Sequence, residues 1–370
     1  MGQRATLLRE AVERRARPLL RSAPAKRSRR ALRRVPVVRD LPGVRRRPGP
    51  GADEREGEER VESVATRIDA HLVQHVVRVR LFTRTFPTSN VWILHDGDEA
   101  ALIDAGFGDD ASVTERLRYL EREMPELRVG TIAVTHHHTD HSSGGRRLAE
   151  ALGAAIAMNP LDEVLLHTPH ESNEDLPDDT ELDERAALWR AEALATEVNR
   201  PLADGESFQV GGLTVRAVHT PGHTAGHNCY LVEETGVLFT GDTILGVGTS
   251  AISPPPAGDM GQYLESLERI GSLGASLLAP GHGPAVRDAA AKVRELIDHR
   301  HRRDRQILDL IDRGYQSDRQ IRRALYPEIQ KGLRRAARNQ VRAHLARLRD
   351  VGTLEVEAGE RGWEVRRPTA

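Results

Sequence analysis

The chain has 370 residues, 38% hydrophobic and 29% charged, with a formal net charge of −1 and one cysteine, Cys229. That length allows two domains with ample core, and a lone cysteine excludes both a disulfide framework and a cysteine-rich metal site, so any metal must be held by nitrogen and oxygen. No apolar run approaches the roughly 18 residues needed to cross a bilayer, and the N-terminus lacks the apolar stretch of a secretory signal, which points to a cytoplasmic protein without membrane contact.

The near-zero charge conceals segregation. Basic residues number 16 against 3 acidic ones over 1–50, 18 against 40 over 51–290, and 20 against 12 over 291–370. Only the two ends would attract a polyanion. Residues 1–60 carry Arg15, Arg29, Arg30 and Arg45–Arg47 among prolines and glycines and close on the acidic run "DEREGEER". With little apolar periodicity they read as a disordered arginine-rich extension. Such a segment could bind nucleic acid or serve as an organellar transit peptide. A composition bias also accounts for it, since lysine occurs only at Lys26, Lys292 and Lys331.

From Val73 the pattern changes to short apolar strands broken by turns. "VVRVRLF", "NVWILHD" and "AALIDAG" come first, followed by a helix around 110–123 and then "VGTIAVT". The dense acidic stretch "HESNEDLPDDTELDER" reads as a solvated face leading into a helix near 184–199. Beyond it lie "LTVRAVHT", "HNCYLVEE", "GVLFTGD", a helix at 259–272 and "ASLLAPGHG". Strands with polar loops at their C-terminal ends and interspersed helices predict a layered α/β fold, sheets inside and helices outside.

The last 80 residues differ. "AAAKVRELIDHRHRRDRQILDLIDRG" places apolar residues at helical spacing and ends on Gly314; "SDRQIRRALYP" starts after the N-cap Ser317 and stops at Pro327. "LRRAARNQVRAHLARLRDVG" is a third helix, and "TLEVEAGERGWEVRR" is a hairpin closed near Gly359–Gly362. Three helices and a hairpin predict a small winged-helix domain over 291–370.

The chemistry concentrates in "AVTHHHTDHSSGG". His136 and His138, two apart at a strand end, project to one side while His137 points away. Asp140 and His141 follow at a turn, so H-x-H-x-D-H sets four candidate ligands in six residues. A polar loop would explain them individually. Three further strand ends supply more candidates: His223 in "VHTPGHTAGH", Asp242 in "VLFTGDT" and His282 in "LLAPGHGP".

This ordered set resembles the metallo-β-lactamase superfamily over roughly Val73–Val286, which implies an αββα sandwich for the catalytic domain, 61–290. The resemblance implies two divalent cations, zinc foremost, with manganese and iron left open. His136, His138 and His223 would hold the first; Asp140, His141 and His282 the second; Asp242 would bridge them, and Asp104 in "LIDAG" would support the histidines from behind. It also implies a metallohydrolase in which a bridging hydroxide attacks substrate, with Asp140 as the catalytic residue that orients it. Lactam-cleaving members commonly use a cysteine ligand, whereas Cys229 sits between apolar strand residues and reads as core. The flavin-linked branch has H-x-E-x-D-H, and His138 replaces that glutamate, which favours hydrolysis over redox chemistry. His219 and His227 read as satisfied structural histidines, and His71, His75, His167 and His170 as surface residues.

The C-terminal part resembles the β-lactamase-like proteins with an associated winged helix, a group that includes an endoribonuclease acting on single-stranded RNA. Arg334, Arg335, Arg338, Arg342, Arg347 and Arg349 could contact phosphates. The acidic catalytic portion and the 4% aromatic content argue against that partner. A small anionic thioester or ester, as in hydroxyacylglutathione hydrolases, is the rival substrate. A nucleic-acid-binding regulator with a sensory metal domain is a third reading. The oligomeric state stays open.

Overall fold

A computed structural model describes residues 62–67, 76–82, 87–168, 183–359 and 362–368. The arginine-rich extension, His71, His75, His170 and most of the acidic stretch 170–185 lie outside the described residues.

Among the described residues twelve strands form two sheets. The first holds β1 (Glu62–Arg67), β2 (Val76–Phe82), β3 (Pro87–Asp96), β4 (Glu99–Ile103), β5 (Arg128–Ala133), β6 (Ala155–Met158) and β7 (Arg200–Pro201), in that order. Its pairings are antiparallel up to β4 and parallel from β4 onward. The second holds β8 (Ser207–Val210), β9 (Leu213–His219), β10 (Asn228–Val232), β11 (Val237–Gly241) and β12 (Leu277–Pro280), likewise in sequence order. Only its last pairing, β11 with β12, is parallel.

Trp92, Leu94, Ala101 and Ile103 of the first sheet meet Phe208, Val215, Tyr230 and Phe239 of the second in one buried cluster. Each fully buried Leu, Ile or Phe in such a layer contributes about 1.5–3 kcal/mol. The outer face of the first sheet packs on the helices Asp110–Glu123 and Gly145–Leu152 through Val113, Leu120 and Leu148. The outer face of the second packs on the helix Met260–Ser272 through Tyr263, Leu267 and Ile270. The layers therefore run helix, sheet, sheet, helix. β10 and β11 are buried at every residue, because both of their faces are covered.

Two details depart from the sequence pattern. The helix expected near 184–199 spans Asp183–Leu194. It stops early because Asn199 joins the sheet edge, its Oδ1 accepting from Ile156 N–H and its own N–H donating to Ile156 O. The short run Ala155–Met158, which shows no alternation, is a strand in which Ile156, Ala157 and Met158 are buried.

The C-terminal region holds the helices Ala289–Asp312, Asp318–Leu325 and Arg334–Asp350 and the antiparallel hairpin β13 (Glu355–Gly359) and β14 (Gly362–Arg366). Ser317 caps the middle helix, accepting from Gln320 N–H. The long helix joins two cores: Val293 and Leu296 belong to the cluster on the second sheet, Ile307 and Ile311 to a separate cluster with Ile321, Leu345 and Val365.

Candidate metal centre

β4, β5 and β6 run parallel, as do β9, β11 and β12 in the second sheet, so each set presents its C-terminal ends along one rim. The loops leaving those ends carry the polar residues singled out above, and all seven side chains gather in one place. His136 Nε2 and His223 Nε2 each lie 3.0 Å from His138 Nδ1. His282 Nε2 lies 3.1 Å from Asp140 Oδ2 and 3.3 Å from His141 Nε2. Asp242 stands between these two groups of three, with Oδ1 3.4 Å from His141 Nε2 and Oδ2 3.5 Å from His282 Nε2 and 3.9 Å from His223 Nε2.

Hydrogen bonds on the outer side of the rings assign the tautomers. His223 Nδ1–H donates to Ala251 O at 2.9 Å, which leaves Nε2 to face inward with a lone pair. His141 Nδ1 meets Asp104 Oδ2 at 2.8 Å. His136 Nδ1–H donates to Thr135 Oγ1 at 3.0 Å, and that hydroxyl donates onward to Asp104 Oδ1 at 2.9 Å. Asp104 is thus the common anchor of two rings, and it occupies φ = +65°, where it is the only non-glycine in the left-handed region among the described residues. A backbone in that region is a local cost met here by four contacts to the carboxylate, two from His141 and Thr135 side chains and the others from Thr135 N–H and a second approach of its hydroxyl.

These donors fit divalent cations. Three inward nitrogens with contacts of 3.0 Å repel one another unless a positive charge lies among them, and a tetrahedral ion with bonds of about 2.05 Å spaces its ligands by about 3.3 Å. Asp242 Oδ1 is buried without a hydrogen-bond donor. Burial, reinforced by the surrounding histidines, holds His136 well below the ordinary histidine range. Burial would also lower His282, but Asp242 and Asp140 outweigh it and push the ring up to about 10; His141 rises for the same reason. Each proton so retained sits where a cation would displace it.

Residues beyond the seven hold the loops. Asp162, fully buried, accepts from His137 N–H (2.8 Å) and Thr224 Oγ1–H (2.9 Å) at Oδ2 and from Gly226 N–H (2.7 Å) at Oδ1. It therefore ties the His136–His138 loop to the His223 loop. Burial alone would raise its carboxyl, yet His137 and these donors hold it below the usual carboxylate range. Sequence reasoning missed it, because Asp162 in the first turn of the helix Pro160–Leu166, after the N-cap Asn159, looks like an ordinary capping acid. His227 Nε2 accepts from Asp242 N–H at 3.1 Å, and burial lowers this ring to about 3. Asn90 Nδ2 donates to Pro280 O and Gly283 O, and Trp92 Nε1 to Pro280 O, which clamps the loop bearing His282. A Cβ on Gly281 would stand 2.5 Å from Asp242 Oδ1, so this loop needs glycine. Cys229 is core: burial pushes its thiol up to about 12. His219 Nε2 donates to Ala225 O, and His167 is exposed.

Residues 84–282, more than half of the chain, match the family model described as the metallo-beta-lactamase superfamily. The chain belongs to that superfamily. Its curated relatives include, by their names, a thioesterase and lactamase-like proteins, and the chain spans less than two thirds of the length of that thioesterase. An atrochrysone carboxyl ACP thioesterase of Aspergillus fumigatus is 33% identical over 220 residues, a match spanning 60% of this chain and 58% of that protein. The beta-lactamase-like protein 2 homolog of Drosophila melanogaster is 30% identical over 297 residues, 77% of this chain and 91% of its own. A metallo-beta-lactamase family protein of Thermus thermophilus has 25% identity and a TM-score of 0.63 over 83% of this chain and 98% of its own. That share exceeds the whole stretch up to His282, so the likeness runs on into the C-terminal helices. Among the described residues no helix is long and apolar enough to cross a membrane.

Proposed function

We propose that the chain is a dinuclear metal-dependent hydrolase of thioesters. The position of Asp242, in reach of both groups of donors, carries this reading. In it His136, His138 and His223 would hold one cation and Asp140, His141 and His282 the other, with Asp242 shared between them and zinc as the first candidate. Two divalent cations bound there would supply Lewis acidity at the attacked carbonyl and lower the pKa of bound water to about 7. Asp104 and Ala251 O keep the ring nitrogens of His136, His141 and His223 aimed inward. Asp140, whose side chain is 23% exposed against 14% for Asp242, is the carboxylate at the mouth. It orients the attacking water and takes its proton.

Charge supports a thioester over a long polyanion. Arg338 and Arg342 donate to Asp318, Arg347 to Asp304 and Arg349 to Asp350, so four of the six arginines of the third C-terminal helix are engaged by carboxylates within the same region. The acidic excess over 51–290 opposes RNA further. The thioesterase relative, which acts on an acyl carrier protein by its name, adds support. Cleavage of single-stranded RNA, with the C-terminal region acting as a winged helix, is the second reading. It is favoured by the match to 91% of the Drosophila relative and by the order of three helices and a hairpin.

Purified full-length protein loaded with zinc or manganese should hydrolyse an acyl-N-acetylcysteamine thioester, and an Asp140→Ala variant should not. Cleavage of single-stranded RNA alone, lost in the same variant, selects the second reading. Turnover of neither substrate by metal-loaded protein overturns both.

A further inference from the structure

A cavity of about 360 Å³ lies between the segment Thr249–Ala251 and the helices Ala289–Asp312 and Arg334–Asp350. Four buried side-chain atoms that lack a hydrogen-bond partner belong to residues lining it: His299 Nδ1, Arg300 Nε, Gln340 Nε2 and His344 Nε2. Buried polar atoms are nearly always satisfied, so four around one space call for an occupant. Arg300 is only 1% exposed and His344 fully buried, and both are held rigidly. Arg300 Nη2 donates to Ser250 O at 2.7 Å while its guanidinium lies over the Tyr263 ring at 5.0 Å. His344 Nδ1–H donates to Asp304 Oδ1 at 2.7 Å, and Gln340 Oε1 accepts from Ile252 N–H at 2.9 Å. What these contacts leave unpaired on the lining residues are the four atoms named above.

The charge of the lining is one-sided. Arg300 and Arg303 are cationic, and among the described residues no acidic one lines the space. Asp304 sits behind it, engaged by His344 and Arg347. The lining also includes an apolar stretch, Ile329, Leu333, Ala336 and Ala337. We propose that this cleft binds a small molecule with one anionic group, a carboxylate or a phosphate, on a short apolar body. The anion takes the Arg300 Nε–H and Gln340 Nε2–H donors beside Arg303, and the body lies on the Leu333–Ala337 face. His344 Nε2, left as an acceptor by its bond to Asp304, selects for a hydroxyl or N–H on the ligand. The volume falls within the ordinary range of small-molecule pockets.

Occupancy bears on the metal centre, because one segment touches both. Ser250 Oγ lies 3.2 Å from His223 Nδ1, and Ala251 O accepts from the same nitrogen. The site stands apart from the choice of hydrolytic substrate, since binding is read without turnover.

The test is calorimetric titration of full-length, metal-loaded protein with hexanoate and hexyl phosphate, against hexanol and inorganic phosphate. At least one of the two anionic probes should saturate at one site per chain, and which one does so distinguishes a carboxylate ligand from a phosphate ligand. Gln340→Glu keeps the acceptor for Ile252 N–H and replaces the donor by a negative oxygen; it should weaken binding about tenfold or more. Ala336→Phe fills the cleft and should abolish saturation. Unchanged melting temperatures confirm that both variants fold. Absence of saturation by both anionic probes at millimolar concentration, binding of hexanol as tight as that of the anions, or wild-type affinity in both variants overturns the proposal.

Discussion

Asp242 at the rim of the sandwich and Asp304 and Asp318 among the C-terminal helices are all carboxylates flanked by cationic or imidazole groups. They differ in how the surrounding valences close. Asp304 receives His344 Nδ1–H on one oxygen and Arg347 Nη1–H on the other, and Asp318 receives Arg338 and Arg342 together on Oδ2 while its Oδ1 has no donor. Around Asp242 the neighbours are instead imidazole nitrogens, those of His141 and His223 already anchored from behind. The first arrangement is neutralised by fixed guanidinium donors and holds helices together; the second keeps inward lone pairs and negative charge that a cation can satisfy.

This contrast can be broken at either end. The largest effect is expected at the metal centre: His138→Ala or Asp242→Ala should release metal, as read by elemental analysis, and lower kcat/KM by about a thousandfold, with the far-ultraviolet circular dichroism unchanged. Full activity with stoichiometric metal in either variant would refute the ligand assignment. Asp162→Ala removes the tie between two ligand loops without removing a donor. A loss of about 10–100-fold in metal affinity or activity is expected, measured by chelator competition and steady-state kinetics.

At the other end, Asp318→Ala should leave activity per folded molecule intact and lower the free energy of urea unfolding by about 1–3 kcal/mol, because Arg338 and Arg342 lose their shared acceptor but reach solvent. The smallest effect is pH dependence. Burial, with Arg300 and Arg303 nearby, outweighs Asp304 and holds His344 below the ordinary histidine value of 6.5. The unfolded chain therefore takes up this proton first, so stability is fully present above pH 6.5 and declines as pH falls below it. His344→Gln should flatten that decline in urea titrations between about pH 7 and 5, and an unchanged slope would remove His344 as its source.

Legibility followed locality. His136, His138, Asp140 and His141 stand out because a strand end and the turn after it bring four candidate donors together within six residues. The helices at 110–123 and 259–272 and the Ser317 cap were equally readable from spacing and capping chemistry. Asp162 was not, since nothing in "NPLDEVLL" records that His137 and Gly226 will approach from 25 and 64 positions away. Equally hidden were the partners of Arg338, Arg342 and Arg347 on the third C-terminal helix, which the fold supplies as Asp318 and Asp304.

By itself, then, the order of residues determined the alternation of strands and helices, the donor types and the exclusion of cysteine ligation, because those depend on neighbours in the chain. Which carboxylates are neutralised, which loops are tied, and the cleft lined by Ser250, Arg300 and Gln340 were decided only by tertiary packing. Burial and long-range hydrogen bonding set the charge around each group, and neither is a property of a short stretch of sequence.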